Sequence, residues 1–276
     1  MGPAAAKQAA RILYEARVSD SKIDGLPADC RPRDIDDAYQ IQDALLGLLG
    51  AASEGWFLAC TAPAMQKVHG LPGPYFGRML GDAILDSPAE VPVPADRPQS
   101  LEIELVFRLG ADLPPRTEPY GREEVAAAVA AMHPGIEIVE GRFTDLLAVD
   151  GPTMVADNGT DGRLVLGPAC EGWRDLDRAG LGVALSKDGA VASGGSGGNV
   201  MGDPLNALVW CANELSRRGL GLKTGETLNT GNALDRYVFA AAGERIVADC
   251  GPLGRAEALL IERSRLEDSG DNRPSC

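Results

Sequence analysis

Histidine, aromatic side chains and positive charge are all scarce in this 276-residue chain. It holds two histidines, 5% aromatics, and 26 Lys plus Arg against 40 Asp plus Glu, a formal net charge of -14. That balance excludes a nucleic-acid binder, because a phosphate backbone demands clustered cations. It equally disfavours an anionic membrane surface. It leaves a small anionic substrate open, since a bound cation reverses the local field. No apolar run approaches the roughly 20 residues of a membrane span, and the opening "MGPAAAKQAARILYEARV" lacks the apolar core of a signal peptide. The expectation is a cytoplasmic protein. Cys30, Cys60, Cys170, Cys211, Cys250 and Cys276 lie far apart with no CxxC pair, which argues against zinc and for a reducing compartment. Cys60 and Cys211 sit in apolar runs and read as core. With 45% hydrophobic residues but few aromatics, that core is aliphatic.

The pattern of elements predicts an α+β fold, a mixed β core with peripheral helices. Residues 4–50 read as helical. Asp34 is the expected N-cap and Gly50 the expected stop of a helix striped by Ile35, Ala38, Ile41, Leu45 and Leu48. A small N-terminal helical region is therefore placed over residues 1–52, the main domain over 53–265, and a polar tail over 266–276. "GWFLACT" reads as a buried strand, "APAMQKVHGLPG" as a short helix, and "VPVPADRPQ" as an extended boundary segment. "REEVAAAVAAMHPG" reads as a helix closed by Pro134 and Gly135, which puts His133, like His69, at a helix end with a capping or solvent role. "IEIVEGRF" and "RLVLG" read as strands and "GVALSKDGAVASG" as a hairpin. "DPLNALVWCANELSRRG" reads as a helix capped by Asp203, and "YVFAAAG" and "RIVADC" as further strands.

The chemistry centres on "LEIEL". Side chains alternate faces along a strand, so Leu101, Ile103 and Leu105 share one face while Glu102 and Glu104 share the other. A generic E-x-E is most often a solvated strand face. Here the surroundings are apolar, and "GIEIVEGRF" repeats the oddity with Glu137. Buried carboxylates repel and protonate unless a cation neutralises them. Three of them on neighbouring strands form a set of hard oxygen ligands suited to Mg²⁺ or Mn²⁺. Glu140 falls on the opposite strand face from Glu137 and ranks lower. "SGGSGGNVMGDP" meets neither phosphate-loop spacing and reads as a flexible loop over the pocket.

The chain resembles the fumarylacetoacetate hydrolase superfamily, and within it the branch of 2-keto-4-pentenoate hydratases and 4-oxalocrotonate decarboxylases. The resemblance runs through "AYQIQDAL", "CTAPAMQKVHGLPGPYFGRML", "EIELVFRLGADL", "IEIVEGRF", "VADNGTDGRLVLG", "GNVMGDPLNALVWCANELSRRG" and "LKTGETLNTGNAL". It implies the family's β-roll fold, a homo-oligomer, and a divalent metal held by Glu102, Glu104 and Glu137. It further implies a 2-oxo acid chelated through carboxylate and keto oxygen, reacting by way of a metal-stabilised enolate. A hydratase is the first expectation. A decarboxylase, tautomerase or cyclase on a related oxo acid or β-dicarbonyl is the alternative, as is a relative that binds without turnover. Thr160 and Thr230, in the loops of "VADNGTDG" and "NTGNAL", are implied substrate contacts.

One departure bears on the reaction. The family's strand usually runs glycine, aromatic, lysine, and that lysine reaches the substrate; here the order is Gly55, Trp56, Phe57. Phe57 therefore lines the expected substrate pocket without a charge or a proton. Tyr75, in "GPYFGRML" where many hydratases place an aspartate, is the candidate catalytic proton carrier.

Overall fold

The computed structural model describes residues 1–146 and 148–263; the expected polar tail over 266–276 lies outside the described residues. Six helices are α1 (Pro3–Val18), α2 (Ile35–Leu49), α3 (Pro63–Val68), α4 (Arg122–Ala127), α5 (Gly151–Ala156) and α6 (Pro204–Arg217). The first strands are β1 (Ser53–Ala59), β2 (Tyr75–Leu80), β3 (Ile84–Asp86), β4 (Ala89–Val93), β5 (Gln99–Leu109), β6 (Val129–Val139) and β7 (Arg163–Leu166). After them come β8 (Gly182–Lys187), β9 (Ala190–Ser196), β10 (Thr227–Asn229), β11 (Val238–Ala240), β12 (Arg245–Asp249) and β13 (Arg255–Glu262). The strands form two mixed sheets. One runs β2-β1-β10-β5-β6-β7-β3, with β11 pairing the other end of β5; the second runs β4-β13-β12-β8-β9.

Local signals explain the helices. In α1 the buried residues Ala6, Ala9, Ala10, Leu13 and Ala16 recur at helical spacing. The Asp34 carboxylate accepts from the Asp37 amide at the start of α2, and Gly50 closes that helix in the left-handed region at φ 63°. Asp203 does the same for α6, accepting from the Leu205 amide, with Pro204 in the first turn. The helical stretch expected over 4–50 is thus two helices separated by residues 19–34.

The N-terminal helices are not set apart from the sheets. Leu13, Ile41 and Leu45 belong to the same continuous core as Leu101, Ile103 and Ile136. Buried Gln42 donates to the carbonyls of Phe76 and Val155 at 3.3 and 3.0 Å. Arg17 reaches from α1 to Asp157 Oδ1 at 3.0 Å and Asp161 Oδ1 at 2.5 Å, with all three side chains buried.

Four expectations are corrected. The helix expected over "REEVAAAVAAMHPG" ends at Ala127, and Val129 begins an eleven-residue strand. Alanine favours helix, yet pairing with β5 from Leu109↔Val129 to Ser100↔Val139 outweighs that propensity. His133 is therefore a buried strand residue whose Nδ1 lies 2.8 Å from the Gly167 carbonyl, not a solvent-facing cap. His69 does follow α3 as its cap, but it too is buried. "VPVPADRPQ" is no boundary, because β4 pairs in parallel with β13, from Ala258↔Ala89 to Glu262↔Val93. The loop in "SGGSGGNVMGDP" is tied down rather than loose. The amides of Ser196, Gly197 and Gly198 donate to the carbonyls of Ala233, Leu181 and Ala179.

Candidate metal centre

The site is built on the central pair β5–β6. Antiparallel register sets Glu102 opposite Glu137 and Glu104 opposite Gly135. Directly opposed residues project from the same sheet face, so the three carboxylates meet. One oxygen from each of Glu102, Glu104 and Glu137 lies within 4.8 Å of the others. Gly135 makes the room. A Cβ there would stand 3.0 Å from Leu164 Cδ1 and Val106 Cγ2, and 3.3 Å from Glu104 Cβ. Glu140, on the opposite strand face, turns to Arg263 at 3.0 Å and takes no part in the cluster.

Glu104 and Glu137 are buried and Glu102 is half-buried. Glu104 Oε2 accepts from the Gly231 amide at 2.7 Å, and Glu137 Oε2 from Asn229 Nδ2 at 3.5 Å. Glu104 Oε1 is buried with no hydrogen-bond partner among the described residues. Burial holds all three carboxyls above the usual carboxylate range, Glu102 at about 7 and Glu137 at about 8. The neighbouring Glu102 charge adds to the burial effect on Glu137, and both other carboxylates add to it on Glu104. Three mutually repelling carboxylates and one unpartnered oxygen fit a divalent cation. The donor set, all carboxylate oxygen, suits Mg²⁺ and similar hard ions.

The remaining wall comes from the edge of the same sheet. Phe57 of β1 pairs with Asn229 of β10 and with Gly77 of β2, so the three share a face with Glu137. The Phe57 ring is seated between two glycines. A Cβ at Gly77 would lie 2.2 Å from its Cζ, and one at Gly159 would lie 3.0 Å from the ring. Tyr75 is buried beside it and directs its hydroxyl to the Gly159 carbonyl at 3.4 Å. Burial, with Cys60, Glu102 and Glu137 nearby, pushes the Tyr75 phenol well up, so it keeps its proton. Cys60 is half-buried rather than core, and burial with the nearby Glu102 charge pushes its thiol up to about 12.

The structure treats the implied threonines differently. Thr230 is buried, and its hydroxyl donates to the Leu105 carbonyl at 2.8 Å, which holds the turn that presents the Gly231 amide to Glu104. Thr160 takes a left-handed φ of 68°, and its methyl lies against Gly141. The flanking residues of that loop, Asp157 and Asp161, are bound by Arg17. Sequence reading missed Asn229, whose signal is the alternation in "TLN", two polar residues flanking Leu228 in a wholly buried strand.

No family model matches the sequence. A 2-keto-4-pentenoate hydratase from Paraburkholderia xenovorans (strain LB400) is 34% identical over 249 residues, 88% of this chain and 90% of that protein. The 4-oxalocrotonate decarboxylase from Pseudomonas putida G7, solved with magnesium and adipate, superposes with a TM-score of 0.85 at 23% identity, covering 95% of this chain and 99% of that one. A fumarylacetoacetate hydrolase family protein from Yersinia pestis CO92 gives a TM-score of 0.57 at 15% identity over 76% of this chain and 93% of that one. The chain shares the fold of these two solved structures, and at 34% identity over 88% of its length it belongs to the 2-keto-4-pentenoate hydratase family.

Proposed function

We propose that the protein is a divalent-metal-dependent hydratase acting on a 2-oxo acid. The observation that carries this reading is the buried cluster of Glu102, Glu104 and Glu137 with its unpartnered Glu104 Oε1. These three residues would hold the ion, Mg²⁺ first and Mn²⁺ as the alternative. When bound, such an ion supplies a Lewis acid that stabilises negative charge developing on a keto oxygen. The chain's own groups do the rest. The Gly231 amide and Asn229 Nδ2 orient two of the carboxylates, as hydrogen-bonded partners of metal ligands do. Phe57 forms an apolar wall that excludes water on one side of the site. Tyr75 holds its proton at the phenol oxygen, which makes it the candidate donor in the absence of a lysine at position 57. Thr160 and Thr230 complete the substrate loops, Thr230 through the backbone turn it pins.

Phe57 also favours a second reading, a relative that binds metal and oxo acid without turnover. One experiment separates the two. Mg²⁺ binding is measured by calorimetry on the wild type and on Glu104→Ala, and a panel of 2-oxo and 2-hydroxydienoic acids is followed by ultraviolet absorbance. Loss of the dienoate band under Mg²⁺, absent in Glu104→Ala, supports the hydratase. Binding without absorbance change supports the second reading, and a wild type that takes up no divalent ion at millimolar supply ends both. The net charge and the unpaired thiols Cys30, Cys60, Cys170, Cys211 and Cys250 support a cytoplasmic setting, and the family resemblance supports a homo-oligomer.

A further inference from the structure

Asn229 is the first residue of "NTGNAL", directly before the implied substrate contact Thr230, and it is fully buried beside Glu137. It stands at the end of β10, in parallel register with Phe57. Its Nδ2 faces Glu137 Oε2 at 3.5 Å. Ionised, as it would be when holding the cation, Glu137 accepts and does not donate, so this contact sets which end of the amide faces the glutamate. The other end, Oδ1, is buried and has no hydrogen-bond partner among the described residues. Its neighbour in register is a phenyl ring, which offers no donor. Two buried hydroxyls of the site are already directed to backbone, Tyr75 to the Gly159 carbonyl and Thr230 to the Leu105 carbonyl. Asn229 Oδ1 is therefore a neutral acceptor held rigidly next to a metal ligand.

The geometry points to Asn229 as a recognition residue of the reaction: Nδ2 positions Glu137, and Oδ1 accepts a hydrogen bond from the ligand hydroxyl. The inference rests on the hydratase reading. Hydration places the oxygen of water on the product as a hydroxyl, so one acceptor serves the water before addition and the product hydroxyl after it. A carboxamide oxygen takes no proton at neutral pH. Asn229 accordingly orients that hydroxyl and leaves proton transfer to other groups. It also supplies polarity on the wall where Phe57 supplies none, so the pair makes a site that reads a neutral hydroxyl rather than a second charge.

The test compares two ligands that differ by one hydroxyl, 2-oxopentanoate and 4-hydroxy-2-oxopentanoate. Each is titrated by calorimetry into Mg²⁺-loaded wild type and Asn229→Leu. The wild type is expected to bind the hydroxylated acid about tenfold more tightly, the worth of one buried hydrogen bond. Asn229→Leu is expected to bind 2-oxopentanoate within about threefold of wild type and to lose the preference. Its Mg²⁺ affinity is expected to fall about tenfold, because Glu137 loses its orienting partner. Equal binding of the two acids by the wild type overturns the role of Asn229 without any variant, as does a preference that survives in Asn229→Leu. Failure of the Mg²⁺-loaded wild type to bind either acid overturns the hydratase reading, and this inference with it.

Discussion

Glu104→Gln is expected to make the metal-free protein more stable and to abolish its response to metal. One oxygen from each of the three glutamates lies within 4.8 Å of the other two. At an effective dielectric of about 20, two unit charges at that separation repel by roughly 3 kcal/mol. Glutamine keeps the shape, keeps an oxygen to accept from the Gly231 amide, and removes the charge common to two of the three pairs. The wild type escapes part of that repulsion by taking up protons, since its carboxyls sit above their ordinary range. The net gain at pH 8 in excess chelator is therefore set at about 2–4 kcal/mol, below the full Coulomb sum. For a chain of this size that is a rise of roughly 5–10 °C in melting temperature. The sign with pH follows from the direction of the shifts. A carboxyl whose folded pKa is raised binds more protons folded than unfolded, so its contribution favours folding at low pH. That contribution is lost as pH rises from the unfolded value through about 7 for Glu102 and about 8 for Glu137. The advantage of Glu104→Gln is accordingly expected to shrink at pH 5. Millimolar Mg²⁺ is expected to raise the melting temperature of wild type and leave Glu104→Gln unmoved. Thermal unfolding followed by circular dichroism reads all three conditions for both proteins. A variant less stable than wild type in chelator at pH 8 would refute the reasoning, as would equal Mg²⁺ shifts in both proteins.

Mg²⁺ affinity itself is expected to rise between pH 6 and pH 8, because protons held by Glu102 and Glu137 compete with the ion over that range; calorimetry at fixed ionic strength would show a flat profile if the carboxyls were already charged. Arg17→Met removes the cation from buried Asp157 and Asp161, and urea denaturation is expected to show a loss of about 3–5 kcal/mol, the usual cost of leaving a buried charge alone. Gly77→Ala drives a methyl into the Phe57 ring and is expected to cost about 1–3 kcal/mol. In the double variant with Phe57→Leu that cost should fall, and strict additivity in the cycle would show that the two do not touch. Phe57→Lys places an amine on the sheet face that carries the three carboxylates; it is expected to lower Mg²⁺ affinity by charge competition, measured by calorimetry.

Much of the candidate carboxylate cluster was legible because it rests on strand periodicity. "LEIEL" and "IEIVE" carry charges at the wrong places for a buried strand, and alternation alone puts Glu102 with Glu104 and sets Glu140 apart from Glu137. The helices α2 and α6 were legible for a similar reason, since a cap and a stop are local chemistry. Strand β6 was not. Its first half is alanine, valine and methionine followed by proline and glycine, which reads as the end of a helix, and only its long pairing with β5 decides otherwise. The parallel pairing of β4 with β13 was equally hidden, because partners so far apart in the chain leave no mark on local composition.

The residues alone determined what the candidate site is made of: hard carboxylate oxygens, an apolar side chain at position 57, and too little positive charge for a polyanion partner. Tertiary structure decided what those ligands face. Register placed Glu137 opposite Glu102, chain reversal brought the Gly231 amide to Glu104, and parallel pairing set Asn229 beside Phe57. Register is a property of two strands at once, fixed by the packing of both faces. An unpartnered oxygen such as Glu104 Oε1 or Asn229 Oδ1 can therefore be recognised only when every neighbour is in place.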